Sequence, residues 1–120
     1  MREIKFRGRV PITENWIYGI YIPASCTKLG YHSIIDDWHR REVNPDTVGQ
    51  YTGMRDINGY VIYEGDIVCR SGEDKPLKVI FDDASFMADD GTTLFHLGDY
   101  DWQLIGNIHD NPELMEEKQK

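Results

Sequence analysis

Residues Thr47 to Val68 read TVGQYTGMRDINGYVIYEGDIV, and this stretch decides the fold. It holds three short apolar runs and two turn signals. Asn58-Gly59 is the stronger signal, because a two-residue type I′ hairpin needs positive φ at both central positions. Gly65-Asp66 is the other. A glycine there can take the φ a bend requires, and an aspartate can accept from nearby backbone N–H groups. The stretch therefore reads as two antiparallel strands joined at Asn58-Gly59, the second sharply bent at Gly65-Asp66.

The same grammar extends in both directions. Toward the N-terminus, Trp16-Ile17-Tyr18-Gly19-Ile20-Tyr21-Ile22 is the strongest strand, apolar on both faces and so expected to be central in its sheet or covered on both sides. Gly19 in its middle implies a bulge or a close backbone approach. Glu3 to Arg9 alternates as a strand with one exposed face, and Pro11 to Asn15 is a turn. Ser33–Ile35 and Trp38–Val43 form a hairpin about Asp36-Asp37. Asn44-Pro45-Asp46 has the cap, proline and acid that start a helical turn.

Toward the C-terminus, strands at Lys78–Phe81, Phe86–Ala88, Thr93–Leu97 and Trp102–Ile108 alternate with turns at Asp82–Ser85, Asp89–Gly91 and Gly98–Asp101. Short strands at regular spacing divided by turn signals indicate an all-β, mainly antiparallel chain of barrel or sandwich type. Asn111-Pro112-Glu113 repeats the helix-start pattern, so a short helix is expected from Pro112 to Lys118. A core is expected from Val48, Tyr51, Ile62, Ile67, Val79, Phe81, Phe95, Leu97, Leu104 and Ile108.

At 120 residues the chain is long enough to bury a core without disulfides or metals. It has no apolar run near the roughly 20 residues that span a membrane. Its charged start does not read as a signal peptide. Cys26 and Cys69 lie far apart with no C-x-x-C, which fits reduced thiols in the cytoplasm.

The net charge of −8 is unevenly spread. Residues 1–78 carry 11 Lys and Arg against 11 Asp and Glu, whereas residues 79–117 carry ten acidic groups and no Lys or Arg. That distribution argues against a phosphate-backbone site in the C-terminal part.

Candidate chemistry is sparse. The carboxylates sit mostly at turns and lack the spacing of a Ca²⁺ loop. Cys26, His32 and His39 supply too few ligands for zinc. No G-x-S-x-G, P-loop or G-x-G-x-x-G occurs, so no enzyme, cofactor or metal is expected. Trp16, Tyr18 and Tyr21 with Arg7, Arg9, Arg40 and Arg41 could form an aromatic and basic sheet face for nucleic acid. The net charge disfavours it, and a protein partner is the preferred reading. Its contact surface would be the acidic set Asp82, Asp83, Asp89, Asp90, Asp99 and Asp101, or the basic strand carrying Arg7 and Arg9. Self-association through these opposite charges is the second reading.

Phe6-Arg7-Gly8, Trp16-Ile17-Tyr18-Gly19, Thr47–Gly53, Asn58-Gly59, Ile62–Val68, Ile105–Ile108 and Asn111–Leu114, in this order, together resemble the YopX-like family of phages and prophages. The resemblance implies an all-β fold containing an SH3-like small barrel, here residues 45–109 of a single domain. An N-terminal β region (1–44) and a terminal helix (110–120) would flank it. It implies carriage on a phage or integrated element, with a host or phage protein as partner. It brings no catalytic residues, because the family has no established biochemical function.

Overall fold

The computed structural model describes residues 5–28, 30–37 and 39–116. Trp38, and the residues of the expected helix beyond Glu116, lie outside that set. The chain divides into two units, Met1–Tyr51 and Thr52–Lys120. Eleven strands run through the described residues, with antiparallel pairing at each registered pair.

In the first unit, β1 (Phe6–Arg9) and β2 (Trp16–Ile22) form a hairpin, and β3 (Ser33–Ile35) and β4 (Arg40–Glu42) form another. With the start of β5 (Asn44–Arg55) the order is β4-β3-β2-β1-β5. Ile34 and Val43 are the buried apolar anchors of this unit. The β2–β3 pairing depends on Gly19, where a Cβ would collide with the carbonyl oxygen of Ile35. The close approach read from the sequence is therefore present. Of the two alternatives expected for β2, the central position is present, between β3 and β1, and the cover on both sides is not, since Tyr18 is 45% and Ile20 63% exposed.

Asn44-Pro45-Asp46 opens β5 and is not a helical turn. Asn44 does bond forward, its Oδ1 accepting from the Asp46 N–H at 3.0 Å. Pairing of Arg9 with Asn44 then draws the segment into the sheet, where the fixed φ of proline is tolerated at a strand start.

In the second unit, the end of β5 pairs with β6 (Val61–Tyr63). A five-stranded sheet follows in the order β10-β9-β8-β7-β11, from β7 (Asp66–Arg70), β8 (Leu77–Asp82), β9 (Ser85–Asp89), β10 (Leu94–His96) and β11 (Trp102–Asn107). Alternation along β8 turns Leu77 and Val79 inward onto Ile62, Val68, Ala88, Leu97 and Trp102. The Trp102 indole N–H donates to the Leu97 carbonyl at 2.7 Å, so its polar edge is satisfied inside the core. Val79, Ile62, Ile67 and Leu97 are core residues as read from the sequence. Phe81 is not. It is 49% exposed at the strand end, edge-on to Phe86.

Both sheets are open, and among the described residues no sheet closes into the expected SH3-like barrel. The observed architecture is all-β and antiparallel. Among the described residues, the expected terminal helix is represented by one 3₁₀ turn, Pro112–Met115. Two turns of helix at most were available, too short to persist on propensity alone.

Two turns differ in type from the reading. Asn58 does not take positive φ; only Gly59 does, at 88°. The loop is a three-residue type I turn with a glycine bulge, closed by Gly59 N–H to the Asp56 carbonyl (3.0 Å) and Asp56 N–H to the Tyr60 carbonyl (2.8 Å). Asp56 selects this form, because its Oδ1 accepts from the N–H groups of both Asn58 and Tyr60. The two-residue turn with positive φ at both positions occurs at Asp83 and Ala84, between the paired residues Asp82 and Ser85.

The Gly65-Asp66 bend is as expected. The buried Asp66 accepts from the Tyr63 N–H at 2.7 Å, while Gly65 bonds to β8 through Val79 and to Ile108 just past β11.

Candidate functional site: the outer turn of the first unit

The hairpin of β1 and β2 positions this site. Cross-strand pairing sets Arg7 opposite Tyr18 and Arg9 opposite Trp16. Both guanidinium groups then lie over the Trp16 ring, Arg7 at 4.4 Å and Arg9 at 5.0 Å from its centroid. Each such contact contributes roughly 0.5–1 kcal/mol when exposed and about 2 kcal/mol when desolvated. Arg7 is only 7% exposed. These two cations are therefore used inside the first unit.

The turn beyond Arg9 is irregular. Val10 N–H donates to the Asn15 carbonyl (3.0 Å) and Glu14 N–H to the Val10 carbonyl (2.8 Å). Inside that frame Thr13 N–H donates to the Pro11 carbonyl (2.9 Å), a γ-turn centred on Ile12. Ile12 has φ 77° and Glu14 φ 61°. Positive φ in a β-branched residue is a steric outlier costing on the order of 1–3 kcal/mol. Ile12 is also 97% exposed, so its side chain returns nothing to the fold. Glu14 Oε1 reaches Arg9 Nη1 at 3.4 Å, an exposed pair of small worth.

A second irregularity faces this turn. Arg7 pairs with Gly49 but Arg9 pairs with Asn44, so β5 bulges outward between them. The Thr47 hydroxyl pins the bulge, accepting from the Arg9 N–H (2.9 Å) and donating to the Asn44 carbonyl (2.6 Å). Turn and bulge enclose an open groove of about 420 Å³. Pro11, Ile12, Val43 and Pro45 supply its apolar wall, and Arg9, Glu14 and Glu42 its charges. Bulges gather beside functional sites because they re-aim the chain.

The six aspartates named from the sequence lie at three turns of the second unit. Asp82 and Asp83 are exposed at the β8–β9 turn, and Asp99 and Asp101 are exposed on either side of Tyr100. Asp89 and Asp90 bond within their own loop. Asp89 Oδ1 accepts from the Gly91 N–H at 2.8 Å. Asp90 Oδ1 accepts from the N–H groups of Thr92 (2.8 Å) and Thr93 (2.7 Å), and its Oδ2 meets Lys75 Nζ at 3.0 Å. The Thr92 and Thr93 N–H groups, with the Lys75 ammonium, hold the Asp90 carboxyl well below the usual carboxylate range.

Among the described residues, no group of three or more His, Cys, Asp or Glu could hold a metal ion. His32 belongs to the structure of the first unit. Its Nδ1 accepts from the Tyr21 hydroxyl (2.7 Å) and the Ala24 N–H (3.3 Å), and its ring stacks on Tyr21. Cys26 is exposed, Cys69 is buried, and both are free thiols. Burial pushes the Cys69 thiol pKa up, with the charges of Asp74 and Glu73 adding to it, so it is a poor nucleophile.

Sequence reasoning passed over Ile12 and Asp56. A β-branched residue in the middle of Val10-Pro11-Ile12-Thr13-Glu14 breaks the turn pattern, and that mismatch is the signal that could have found it. For Asp56 an aspartate two residues before Asn58-Gly59 was the local signal for its turn bonds, but its third contact, Oδ2 accepting from the Leu104 N–H at 2.9 Å, lies 48 residues away and carried none.

Fold and site together define a small antiparallel β protein that displays an irregular, apolar turn. The model of the YopX protein family matches residues 5–116, and the chain belongs to that family. The crystal structure of protein EF1440 from Enterococcus faecalis is similar to it, with a TM-score of 0.62 over 97% of this chain and 100% of that one, at 23% identity. That similarity concerns the fold. A search of the curated proteins finds no match. No helix among the described residues is long and apolar enough to cross a membrane.

Proposed function

We propose that this chain is a non-enzymatic protein-binding module, an accessory protein of phages or integrated elements acting in the host cytoplasm, whose contact surface is the Ile12 turn and its groove. The observation that carries the reading is Ile12 itself, a β-branched side chain held at positive φ and almost fully exposed. Strain that the fold does not use is expected where a partner uses it. The groove beside it offers apolar surface rimmed by both signs of charge, which suits a protein contact. The phage context follows from the family resemblance.

The test is affinity purification from host lysate with quantitative mass spectrometry, comparing wild type with Ile12→Asp. The variant keeps every turn hydrogen bond, since none involves the Ile12 side chain. At least one protein retained by wild type is expected to fall by about tenfold or more, the equivalent of about 1.4 kcal/mol in affinity. Identical retention by both proteins contradicts the proposal.

A further inference from the structure

Four strands end a sheet in the described residues, and three of them are guarded. β4 is exposed and charged at every position, a common defence of an open edge. β6 gives its Tyr63 N–H to the Asp66 carboxylate. β11 gives its Leu104 N–H to Asp56 and its Trp102 carbonyl to the Ile57 N–H. β10 has none of these devices. Thr93-Leu94-Phe95-His96 holds no acid, lysine, arginine or proline, and its register against β9 runs without a shift. Length does not separate the cases, since β4, β6 and β10 are each three residues long.

Bond alternation fixes which groups are open. Asp90 N–H donates to the Thr93 carbonyl at 3.2 Å, so the next bonded pair along the ladder is Ala88 with Phe95. Leu94 and His96 therefore turn their main-chain groups away from β9. The His96 carbonyl opens the 3₁₀ turn Leu97–Asp99. The Leu94 N–H and carbonyl and the His96 N–H remain, and both residues are exposed. An extended chain laid along β10 can bond to all three groups.

Charge selects that chain. His96 pairs with Met87, so β10 ends beside the β8–β9 turn. Asp82 and Asp83 in that turn and Asp99 in the 3₁₀ turn are exposed, and among the described residues none of the three forms an ion pair. Arg70 is held over the rings of Tyr100 and of Phe95, which packs on the core. Lys75 and Lys78 lie toward the Leu94 end, Lys75 on the Asp90 carboxylate and Lys78 opposite Asp89 across the ladder. A second copy therefore brings no free cation to this edge, and it carries −8 itself. We infer that β10 takes an extended basic segment of another protein as a further strand, with a lysine or arginine of that segment at the His96 end. This surface belongs to the second unit and does not depend on the Ile12 turn.

The probe is a short synthetic peptide of alternating lysine and valine, and the readout is amide hydrogen exchange by NMR. In the free chain the Leu94 and His96 amides are expected to exchange fast beside a protected Phe95. Excess peptide is expected to slow both by about tenfold or more. The fully N-methylated peptide keeps the charge but offers no N–H, and it is expected to leave both unchanged, as is a glutamate–valine peptide. His96 has φ −63°, so His96→Pro removes the outward N–H at an angle proline prefers. His96→Pro is expected to weaken peptide binding about tenfold and Asp99→Lys several-fold, while Ile12→Asp binds like wild type. Circular dichroism checks that each variant is folded, and exchange in wild type decides the matter if His96→Pro is not. No protection by the lysine peptide overturns the inference. Equal protection by the N-methylated or the glutamate peptide overturns it too. So does protection that appears without peptide as protein concentration rises, which would put a second copy on the edge.

Discussion

Two turns of this molecule solve the same geometrical problem in opposite ways. At residues 56–60 the chain reverses with little strain. Positive φ is assigned to Gly59, and the buried Asp56 accepts from three backbone N–H groups, those of Asn58, Tyr60 and Leu104. At residues 10–15 positive φ is assigned to Ile12 and Glu14, and the isoleucine is exposed. The first turn is fully explained by what it does for the fold, fastening the β5–β6 hairpin to β11 as Ile57 N–H also does through the Trp102 carbonyl (2.9 Å). The second closes the β1–β2 hairpin, but the isoleucine side chain at its centre is used by nothing inside the unit. Local cost without internal return is the observation on which the proposed contact surface rests.

The largest expected effect comes from breaking the relaxed turn. Asp56→Ala removes a buried acceptor and leaves three N–H groups to find new partners, which costs about 3 kcal/mol. Urea denaturation is expected to show a lower midpoint, and proteolysis is expected to begin near Ile57 and Asn58. A change under 0.5 kcal/mol would mean that water replaces the carboxylate without loss.

An intermediate effect comes from the Asp89–Thr93 turn, which belongs with the relaxed kind and has a pH handle. The folded-state pKa of Asp90 lies below its unfolded value of about 3.9. Its ionised form therefore stabilises the fold fully above that value, and the contribution is lost as pH falls through the folded pKa. Asp90→Asn is expected to lower the melting temperature at pH 7 and to narrow the gap to wild type as pH drops below about 4. A gap independent of pH would place the effect in the hydrogen-bond geometry and not in the charge.

Much of the sheet was legible because period-2 alternation is a local property. β2, the β3–β4 hairpin and the strands after Lys78 fall within a residue or two of the reading. Some errors were settled by a partner distant in sequence, and one by a side chain only two residues away. Asn44-Pro45-Asp46 carries a helix-start pattern, and pairing with Arg9 overrides it. Asn58-Gly59 fits the tighter turn, and the Asp56 carboxylate overrides that. Closure into a barrel was a matter of how strands meet across the sheet, which alternation does not encode. The exposure of Phe81 follows from where β8 ends, also a tertiary fact.

For the site, the sequence located the basic strand but not the use of its arginines. Stacking of Arg7 and Arg9 on Trp16 depends on the register of β1 against β2. Ile12 was written off as part of a turn because hydropathy patterns treat turn residues as solvent-facing filler. Its significance is in a dihedral angle, and no composition reports one.

The smallest expected effect bears on the central claim, that Ile12 is held in strain which the fold does not require. Glycine adopts positive φ without penalty but loses more backbone entropy on folding, so Ile12→Gly is expected to stabilise the protein by a net of about 1 kcal/mol. The direct measurement is the urea midpoint of Ile12→Gly beside wild type. An upward shift with an unchanged slope is the predicted result. A midpoint that stays or falls would show that Ile12 serves the fold after all, and would remove the reason for placing a docking surface at this turn.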